Sequence, residues 1–153
     1  MTLALHPDHL AAIRAHGERA YPNECCGLLL GHFDADDRKV LVETWAVDNQ
    51  WEGSGEFGLA DGETSRRRFL ISPEDYRQGE RHARTLGLEV IGTYHSHPDH
   101  PAEPSEFDRG NAWPVYSYII VSVQQGRATD LASWVLDDER LFHREAVQQA
   151  TEV

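Results

Sequence analysis

A stretch of fourteen residues, HSHPDHPAEPSEFD at positions 95–108, holds three histidines, two aspartates and two glutamates. If a strand continues through its start, His95 and His97 point to one face and can share one ion. Ser105 suits the N-cap of a short helix, and Asp108 at the third helical position can point back over the helix start. Two imidazoles and a carboxylate leave the fourth position of a tetrahedral zinc ion to water, as in catalytic sites. Either fragment alone, the H-x-H pair or the S-x-x-D cap, is common without a metal.

The other polar residues of this stretch are weaker candidates. His100 can reach a metal, but it lies in a proline-rich loop and is expected in solvent. Asp99, Glu103 and Glu106 are also expected to face solvent and to set the local acidity. None of these four is predicted to be a ligand.

Several reactive or aromatic residues outside the stretch have ordinary structural interpretations. Cys25 and Cys26 are adjacent, which makes a bridge between them strained, and they are expected as small buried residues on a strand. A regulatory thiol ligand at Cys25 is the alternative. Trp113 and Tyr116 are expected in the core rather than at a substrate platform. The arginines at 66–68 suit an acidic partner surface or an exposed strand equally well.

Composition limits the class of protein. The 153 residues suit one domain, spanning positions 1–153, and the formal net charge of −12 argues against a nucleic-acid partner. No apolar run approaches the eighteen residues of a membrane span. The N-terminal residues lack the basic and apolar regions of a signal peptide, so we expect a cytoplasmic protein.

The elements that must position the histidines follow from periodicity and breakers. Strands alternate with helices and end in a hairpin, which indicates an α/β domain with a mixed sheet. The loop at 48–65 carries five acidic residues and four glycines and is long enough to be a functional flap. The tail beyond Asp137 is polar and gives no clear prediction. The predicted elements are a strand at 3–5, a helix from Pro7 to about Ala20, strands at 25–33, 38–47 and 67–71, a helix from Ser72 to about Leu86, a strand at 88–95, a short helix after Pro104, and strands at 116–123 and 131–136.

The stretch 95–108 fits the pattern H-x-H-x7-S-x2-D without a gap, and it resembles the JAMM motif of the Mov34/MPN/PAD-1 metalloproteases, the MPN+ domain. That motif also requires a glutamate at the start of a buried strand far upstream, and PNECCGLLLG supplies Glu24 there. The flanking IGTYHSHP is similar to the strand that leads into the metal loop of the family. The resemblance extends from the first helix to the LASWVL hairpin.

The resemblance implies a fold, a site and a reaction. The fold would be the MPN domain, a curved mixed β-sheet flanked by helices. His95, His97 and Asp108 would be zinc ligands, Glu24 the general base, and Ser105 a donor to the oxyanion. The reaction would be hydrolysis of a peptide or isopeptide bond.

The small stand-alone form with ECCGLLLG is similar to the prokaryotic branch of the family. This implies a substrate with the C-terminal Gly-Gly tail of a ubiquitin-like sulfur-carrier protein, or a conjugate of one. Two alternatives remain open at this point. One is a zinc-containing MPN binding or scaffold module without protease activity, and the other is a zinc hydrolase that acts on a small amide.

Overall fold

The computed structural model describes residues 1–35, 37–49 and 69–149. Within these ranges the secondary structure follows the predicted alternation of strands and helices, with one further strand at the C-terminal end. In chain order the elements are β1 (Thr2–Leu5), α1 (Pro7–Ala20), β2 (Cys26–Asp34), β3 (Arg38–Val47), α2 (Pro73–Thr85), β4 (Glu89–Pro98), α3 (Glu106–Gly110), β5 (Ser117–Gln124), β6 (Arg127–Leu136) and β7 (Phe142–Gln149).

The strands form one mixed sheet in the order β1–β3–β2–β4–β5–β6–β7, and pairing of β7 with β1 closes the sheet into a barrel. The pairs β1–β3, β1–β7 and β4–β5 are parallel, whereas β2–β3, β2–β4, β5–β6 and β6–β7 are antiparallel. The prediction of an α/β fold with a curved mixed sheet and flanking helices is therefore confirmed.

The apolar run of β2 reflects burial on both faces of the sheet. Leu29 belongs to the main core cluster, to which α1 adds Leu10 and Ile13. Leu28 and Leu30 belong to a second cluster that α2 covers. Alternate residues of a strand point to opposite faces, so a strand between two apolar layers is apolar throughout.

The helix that follows Ser72 begins as its sequence predicts. The Ser72 side chain accepts a hydrogen bond from the Asp75 N–H at 3.1 Å, and Pro73 occupies the first turn. Gly87, just beyond the helix, has a φ of +70°, a conformation that glycine adopts without steric cost. Among the described residues, no helix combines the length and the apolar character needed to cross a membrane.

Two predictions about the elements and the core are wrong, and one strand was not predicted. Residues 69–71 are not a strand, because the Leu70 N–H donates to the Asn49 side chain rather than to a neighbouring strand. The polar tail, for which no element was predicted, forms β7, whose one fully buried residue is the charged Glu145 and which therefore lacks a clear apolar pattern. Trp113 is 68% exposed and lies outside the core. The loop from residue 50 onward and the arginines at 66–68 lie outside the described residues.

Candidate functional site

The end of β4 carries the two histidines of the H-x-H pair. β4 continues through both of them to Pro98, so their side chains lie on one face as the spacing predicts. Both are buried, with His95 2% and His97 8% exposed. The neutral imidazole is the form that binds metal ions.

The side chain of Asp108 completes a compact triangle of donor atoms. His95 Nε2 lies 3.1 Å from His97 Nε2. Asp108 Oδ1 is 3.2 Å from His95 Nε2, and Oδ2 is 3.1 Å from His97 Nε2. In a tetrahedral site with metal–ligand distances of about 2.0–2.1 Å, two donor atoms are about 3.3 Å apart. The observed separations are therefore close to those of a tetrahedral zinc site.

A backbone hydrogen bond selects the tautomer of His97. Its Nδ1 lies 2.9 Å from the Pro101 carbonyl oxygen, which can only accept, so Nδ1 carries the proton. The Nε2 lone pair then points toward His95 and Asp108. Histidines that bind metals commonly use the other ring nitrogen in this way.

His95 is oriented by packing. Its ring stacks on Phe69, with the centroids 4.4 Å apart and the planes at 20°. Burial lowers the pKa of His95, and the neighbouring Asp108 carboxylate offsets this only in part. Its Nδ1 has no hydrogen-bond partner among the described residues.

Asp108 is held by the first turn of α3. The Ser105 N–H donates to Asp108 Oδ2 at 2.9 Å, and the Asp108 N–H donates to Ser105 Oγ at 3.1 Å. Burial alone would raise the pKa of Asp108, but the imidazoles of His95 and His97 outweigh that effect and hold the pKa well below its usual range. The carboxylate is therefore ionised and able to bind a cation.

Strand pairing brings Glu24 to the same place. Cys26 pairs with His95 in the antiparallel β2–β4 ladder, and the Ser96 N–H donates to the Cys25 carbonyl at 3.2 Å. One step further along this pairing, Glu24 lies beside His97. One donor atom from each of Glu24, His95 and His97 lies within 4.8 Å of the other two. Glu24 is 4% exposed, so its carboxylate is buried at the site.

His95 and His97 thus belong to two possible sets of three metal-donor atoms, one completed by Asp108 and the other by Glu24. The Asp108 distances of 3.1–3.2 Å match the edge of a tetrahedron. Two imidazoles and one carboxylate are also among the protein ligand sets of catalytic zinc. The second carboxylate is then available beside the ion for proton transfer.

Ser105 lies at the edge of a cavity of about 390 Å³ that Glu24, His97, His100 and Glu103 also line. Because Ser105 Oγ accepts the Asp108 N–H, its own proton remains to donate to a bound group. His100 and Glu103 are exposed, as expected.

The remaining weaker candidates, Asp99, Glu106 and the two cysteines, either make hydrogen bonds or ion pairs within the fold or are buried. Asp99 is exposed, but its carboxylate accepts hydrogen bonds from the Tyr21 hydroxyl at 2.7 Å and from the Gln125 N–H at 2.8 Å, which fasten the loop. Glu106 is exposed and pairs with Arg109. Cys25 and Cys26 are buried and free, and burial raises the pKa of the Cys25 thiol to about 11. Cys25 is therefore an unreactive thiol at neutral pH.

A second cavity beside His95 was not predicted. It has a volume of about 340 Å³, and the described residues that line it are all uncharged. Half of these lining residues are aromatic, and one of them, Phe69, links the cavity to the histidines by stacking on His95. The aromatic residues between 107 and 118 could have indicated this cavity from the sequence, but Trp113 and Tyr116 were expected in the core instead. We call it the aromatic groove, lined by Phe69, Leu70, Ile71, Tyr76, Val90, Gly92, Thr93, Phe107, Asn111, Trp113, Tyr116 and Tyr118.

Comparison with known proteins gives similar sequences over most of the chain. The desampylase of Haloferax volcanii is 29% identical over 143 residues, which span 90% of this chain and 91% of that protein. The tail tip assembly protein K of Escherichia phage N15 is 32% identical over 98 residues, or 64% of this chain and 31% of that protein.

Solved structures share the fold. A solution structure of a protein from Salinibacter ruber is 37% identical, with a TM-score of 0.72 and coverage of 97% of this chain and 92% of that chain. A second solution structure, of a protein from Desulfitobacterium hafniense, is 27% identical, with a TM-score of 0.78 and coverage of 99% and 94%. A crystal structure of a JAB1/MPN domain protein from Archaeoglobus fulgidus, at 20% identity, a TM-score of 0.54 and coverage of 98% and 96%, supports the fold alone.

The family described as prokaryotic homologs of the JAB domain matches residues 6–137. This range contains the glutamate at the start of β2 and the whole stretch 95–108. The resemblance to the MPN family, and to its prokaryotic branch, is therefore confirmed. This chain belongs to the prokaryotic homologs of the JAB domain.

Proposed function

We propose that the protein is a zinc-dependent metallopeptidase that hydrolyses the peptide or isopeptide bond at the C-terminal Gly-Gly tail of a ubiquitin-like sulfur-carrier protein. In this proposal His95, His97 and Asp108 bind zinc, Glu24 transfers protons, and Ser105 donates to the oxyanion. The observation that carries it is the convergence of four side chains, one from the segment just before β2 and three from β4 and α3, around one small volume.

A zinc ion held by these three ligands would acidify a water molecule and polarise the carbonyl of the substrate. The buried carboxylate of Glu24 lies within 4.8 Å of the imidazole donors, which is the reach of a base one water away. Glu24 accepts a proton from the attacking water at a carboxylate oxygen and later gives it to the leaving amine.

The position of Glu24 sets the direction in which the substrate lies. A group that protonates the leaving amine must be next to it, so the amine leaves through the cavity that Glu24 and Ser105 line. The acyl part then extends to the other side of His95, where the aromatic groove begins. Ser105 donates its hydroxyl proton to the developing oxyanion, an interaction whose loss typically costs about 10²–10³ in rate.

The aromatic groove supports a flexible tail as the acyl part. With uncharged walls and a volume of about 340 Å³, it has room for a short extended segment but not for a folded domain. β4 pairs with β2 on one side and β5 on the other, so it offers no free edge for an added strand. Side-chain contacts in the groove would therefore hold the tail. The similarity to the desampylase of Haloferax volcanii supports a protein conjugate as substrate.

The decisive experiment compares two glutamates of the same cavity. Glu24→Gln removes the proton acceptor at nearly constant shape, and Glu103→Gln is the matched control on the exposed rim. With carrier conjugates as substrate, we expect Glu24→Gln to keep its zinc and to lose at least about 10²-fold in kcat/KM, while Glu103→Gln stays near the parent.

Full activity of Glu24→Gln would remove Glu24 from the mechanism. Small amides tested in parallel separate the alternative hydrolase, which would cleave them in preference to conjugates. A zinc-loaded parent that cleaves neither class of substrate would favour the binding module. Metal content by elemental analysis, with His97→Ala as the variant expected to lose zinc, tests the site independently of activity.

A further inference from the structure

Asp108 lies on a helix that is too short to hold its own place. α3 has five residues, Glu106–Gly110, and none of them is buried as a whole residue, although the Asp108 side chain is only 7% exposed. Isolated helices shorter than about 12–15 residues are marginal even with favourable sequences. A metal ligand must nevertheless be held within about 0.5 Å of its productive position. Contacts from outside α3 must therefore fasten it to the barrel.

The local hydrogen bonds of α3 fix its shape but not its position. The capping box joins Ser105 to Asp108, and the Asn111 side chain donates to the Phe107 carbonyl at 2.8 Å. All of these partners lie within residues 105–111. They move with the helix if it shifts relative to β4.

Arg140 supplies a connection across the fold. Its Nη2 donates to the Arg109 carbonyl at 2.6 Å and to the Ala112 carbonyl at 3.3 Å. Arg109 immediately follows Asp108, and its carbonyl is among those that the helix end leaves without an intrahelical partner. A cation at the C-terminal end of a helix is also electrostatically favourable.

The turn that carries Arg140 is itself well fixed. Asp137 Oδ1 accepts hydrogen bonds from the Glu139 and Leu141 N–H groups, each at 2.9 Å, and its Oδ2 pairs with His143 Nε2 at 2.6 Å. The Arg140 N–H donates to the Asp137 carbonyl at 3.0 Å. These bonds tie the turn to the ends of β6 and β7, so Arg140 extends from a rigid base.

We propose that Arg140 is a positioning residue for the metal centre: by fastening the end of α3 to the turn between β6 and β7, it holds the Asp108 carboxylate at ligand distance from His95 and His97. This rests on the proposed function in that a metal binds at these three residues. Arg140 does not touch the metal or the substrate.

The test measures zinc affinity by competition with a chromogenic chelator. Arg140→Met removes both hydrogen bonds at similar side-chain length, and Arg127→Met removes the same charge from the exposed first residue of β6 as a matched control. We expect zinc to bind Arg140→Met about tenfold more weakly, the lower end of the effect of groups that orient metal ligands, and Arg127→Met like the parent. Arg140→Lys, which keeps a cationic donor, should recover most of the affinity.

A cobalt-substituted protein gives a readout that a general loss of stability would not change. Displacement of Asp108 alters the ligand field, so the visible absorption of the cobalt form should differ between Arg140→Met and the parent. Zinc affinity of Arg140→Met within twofold of the parent overturns the proposal, whatever its stability. Weaker binding with an unchanged cobalt spectrum and no recovery in Arg140→Lys overturns it as well. If Arg140→Met does not fold, Arg140→Gln replaces it under the same limits.

Two further outcomes distinguish this proposal from the proposed function. A parent that binds zinc but cleaves no conjugate refutes the proposed function, and the affinities still decide the role of Arg140. A parent that binds no zinc refutes both.

Discussion

Two buried polar clusters in this barrel satisfy their charges in opposite ways. One joins Lys39 on β3 to Glu145 on β7, with Nζ and Oε2 3.0 Å apart and both side chains at most 2% exposed. The other joins His95 and His97 to Asp108 at the end of β4. The first cluster contains its own cation, the Lys39 ammonium group. In the second cluster, imidazole nitrogens and a negative carboxylate face one point.

The Lys39–Glu145 cluster is complete within the chain. Glu145 Oε1 accepts hydrogen bonds from the Ser117 and Ser133 hydroxyls at 2.7 and 2.8 Å. Lys39 Nζ donates to the Val115 carbonyl at 2.8 Å and faces Glu145 Oε2 at ion-pair distance, outside hydrogen-bond geometry. Lys39 is the one lysine of the sequence, and the fold buries it.

Comparison of the two clusters distinguishes a buried charge that stabilises the fold from one that is placed to bind a ligand. Burying a charge is costly unless it is paired. The Lys39–Glu145 pair meets that cost internally and is closed to ligands. The His95–His97–Asp108 cluster opens on a cavity through His97, and an added cation would balance the carboxylate. The first cluster should therefore matter for folding, and the second for metal binding.

Removal of Lys39 from the Lys39–Glu145 pair should lower the stability of the protein more than any other change considered below. Lys39→Met leaves the Glu145 carboxylate buried without its cation, and the free energy of unfolding of the metal-free protein should fall by about 3–5 kcal/mol. Urea denaturation measures this loss. The double variant Lys39→Met/Glu145→Gln keeps an acceptor for the serine hydroxyls and should recover most of it. A loss below about 1 kcal/mol in Lys39→Met would contradict a structural role for the pair.

A smaller effect tests the cluster that lacks its own cation. At free zinc of 100 times Kd, the free energy of unfolding of the parent should rise by about 2.7 kcal/mol, because zinc binds the folded state. Asp108→Asn should show no such rise at the same zinc concentration. Its metal-free stability should fall below that of the parent, since the asparagine oxygen still accepts the Ser105 N–H but the interactions of the carboxylate with His95 and His97 are lost. An equal zinc-induced rise in Asp108→Asn would remove Asp108 from the ligand set.

The smallest change in stability is expected from the titration of His9, whose two ring nitrogens both form hydrogen bonds within the chain. His9 Nδ1 accepts the His6 N–H at 3.0 Å, and Nε2 donates to the Val42 carbonyl at 3.0 Å. Burial lowers the pKa of His9; the hydrogen bond to Val42 opposes this in part, and His6 and Asp8 have smaller effects. The unfolded chain therefore binds more protons below about pH 6.5, and stability that is complete above that pH falls as the pH drops.

The expected loss is on the order of 1 kcal/mol, the size of a lost helix N-cap. Urea denaturation of the metal-free protein between pH 7.5 and pH 5 measures it. His9→Gln keeps a polar side chain at this capping-box position without titrating, so the difference between parent and variant isolates His9. Identical pH profiles for the two proteins would show that His9 does not contribute.

Local sequence rules predicted most of the elements. The helix at Ser72, the hairpin of β2 and β3 and the double-sided burial of β2 depend on residues close together in the chain, and all are present. The face shared by His95 and His97 follows from strand periodicity in the same way. The roles of the five motif residues, and the extent of the domain over 1–153, stay predictions.

Long-range pairing decided the rest. Glu24 reaches His97 through the register of β2 against β4, which joins segments about seventy residues apart and leaves no local signature. β7 escaped prediction because its one fully buried residue is a charged glutamate whose partner, Lys39, lies on a distant strand. The exposed Trp113 and the aromatic groove arise where β4, α3 and residues 69–71 meet. Periodicity and caps are properties of neighbours in sequence, whereas register, barrel closure and cavities depend on which distant segments pack together.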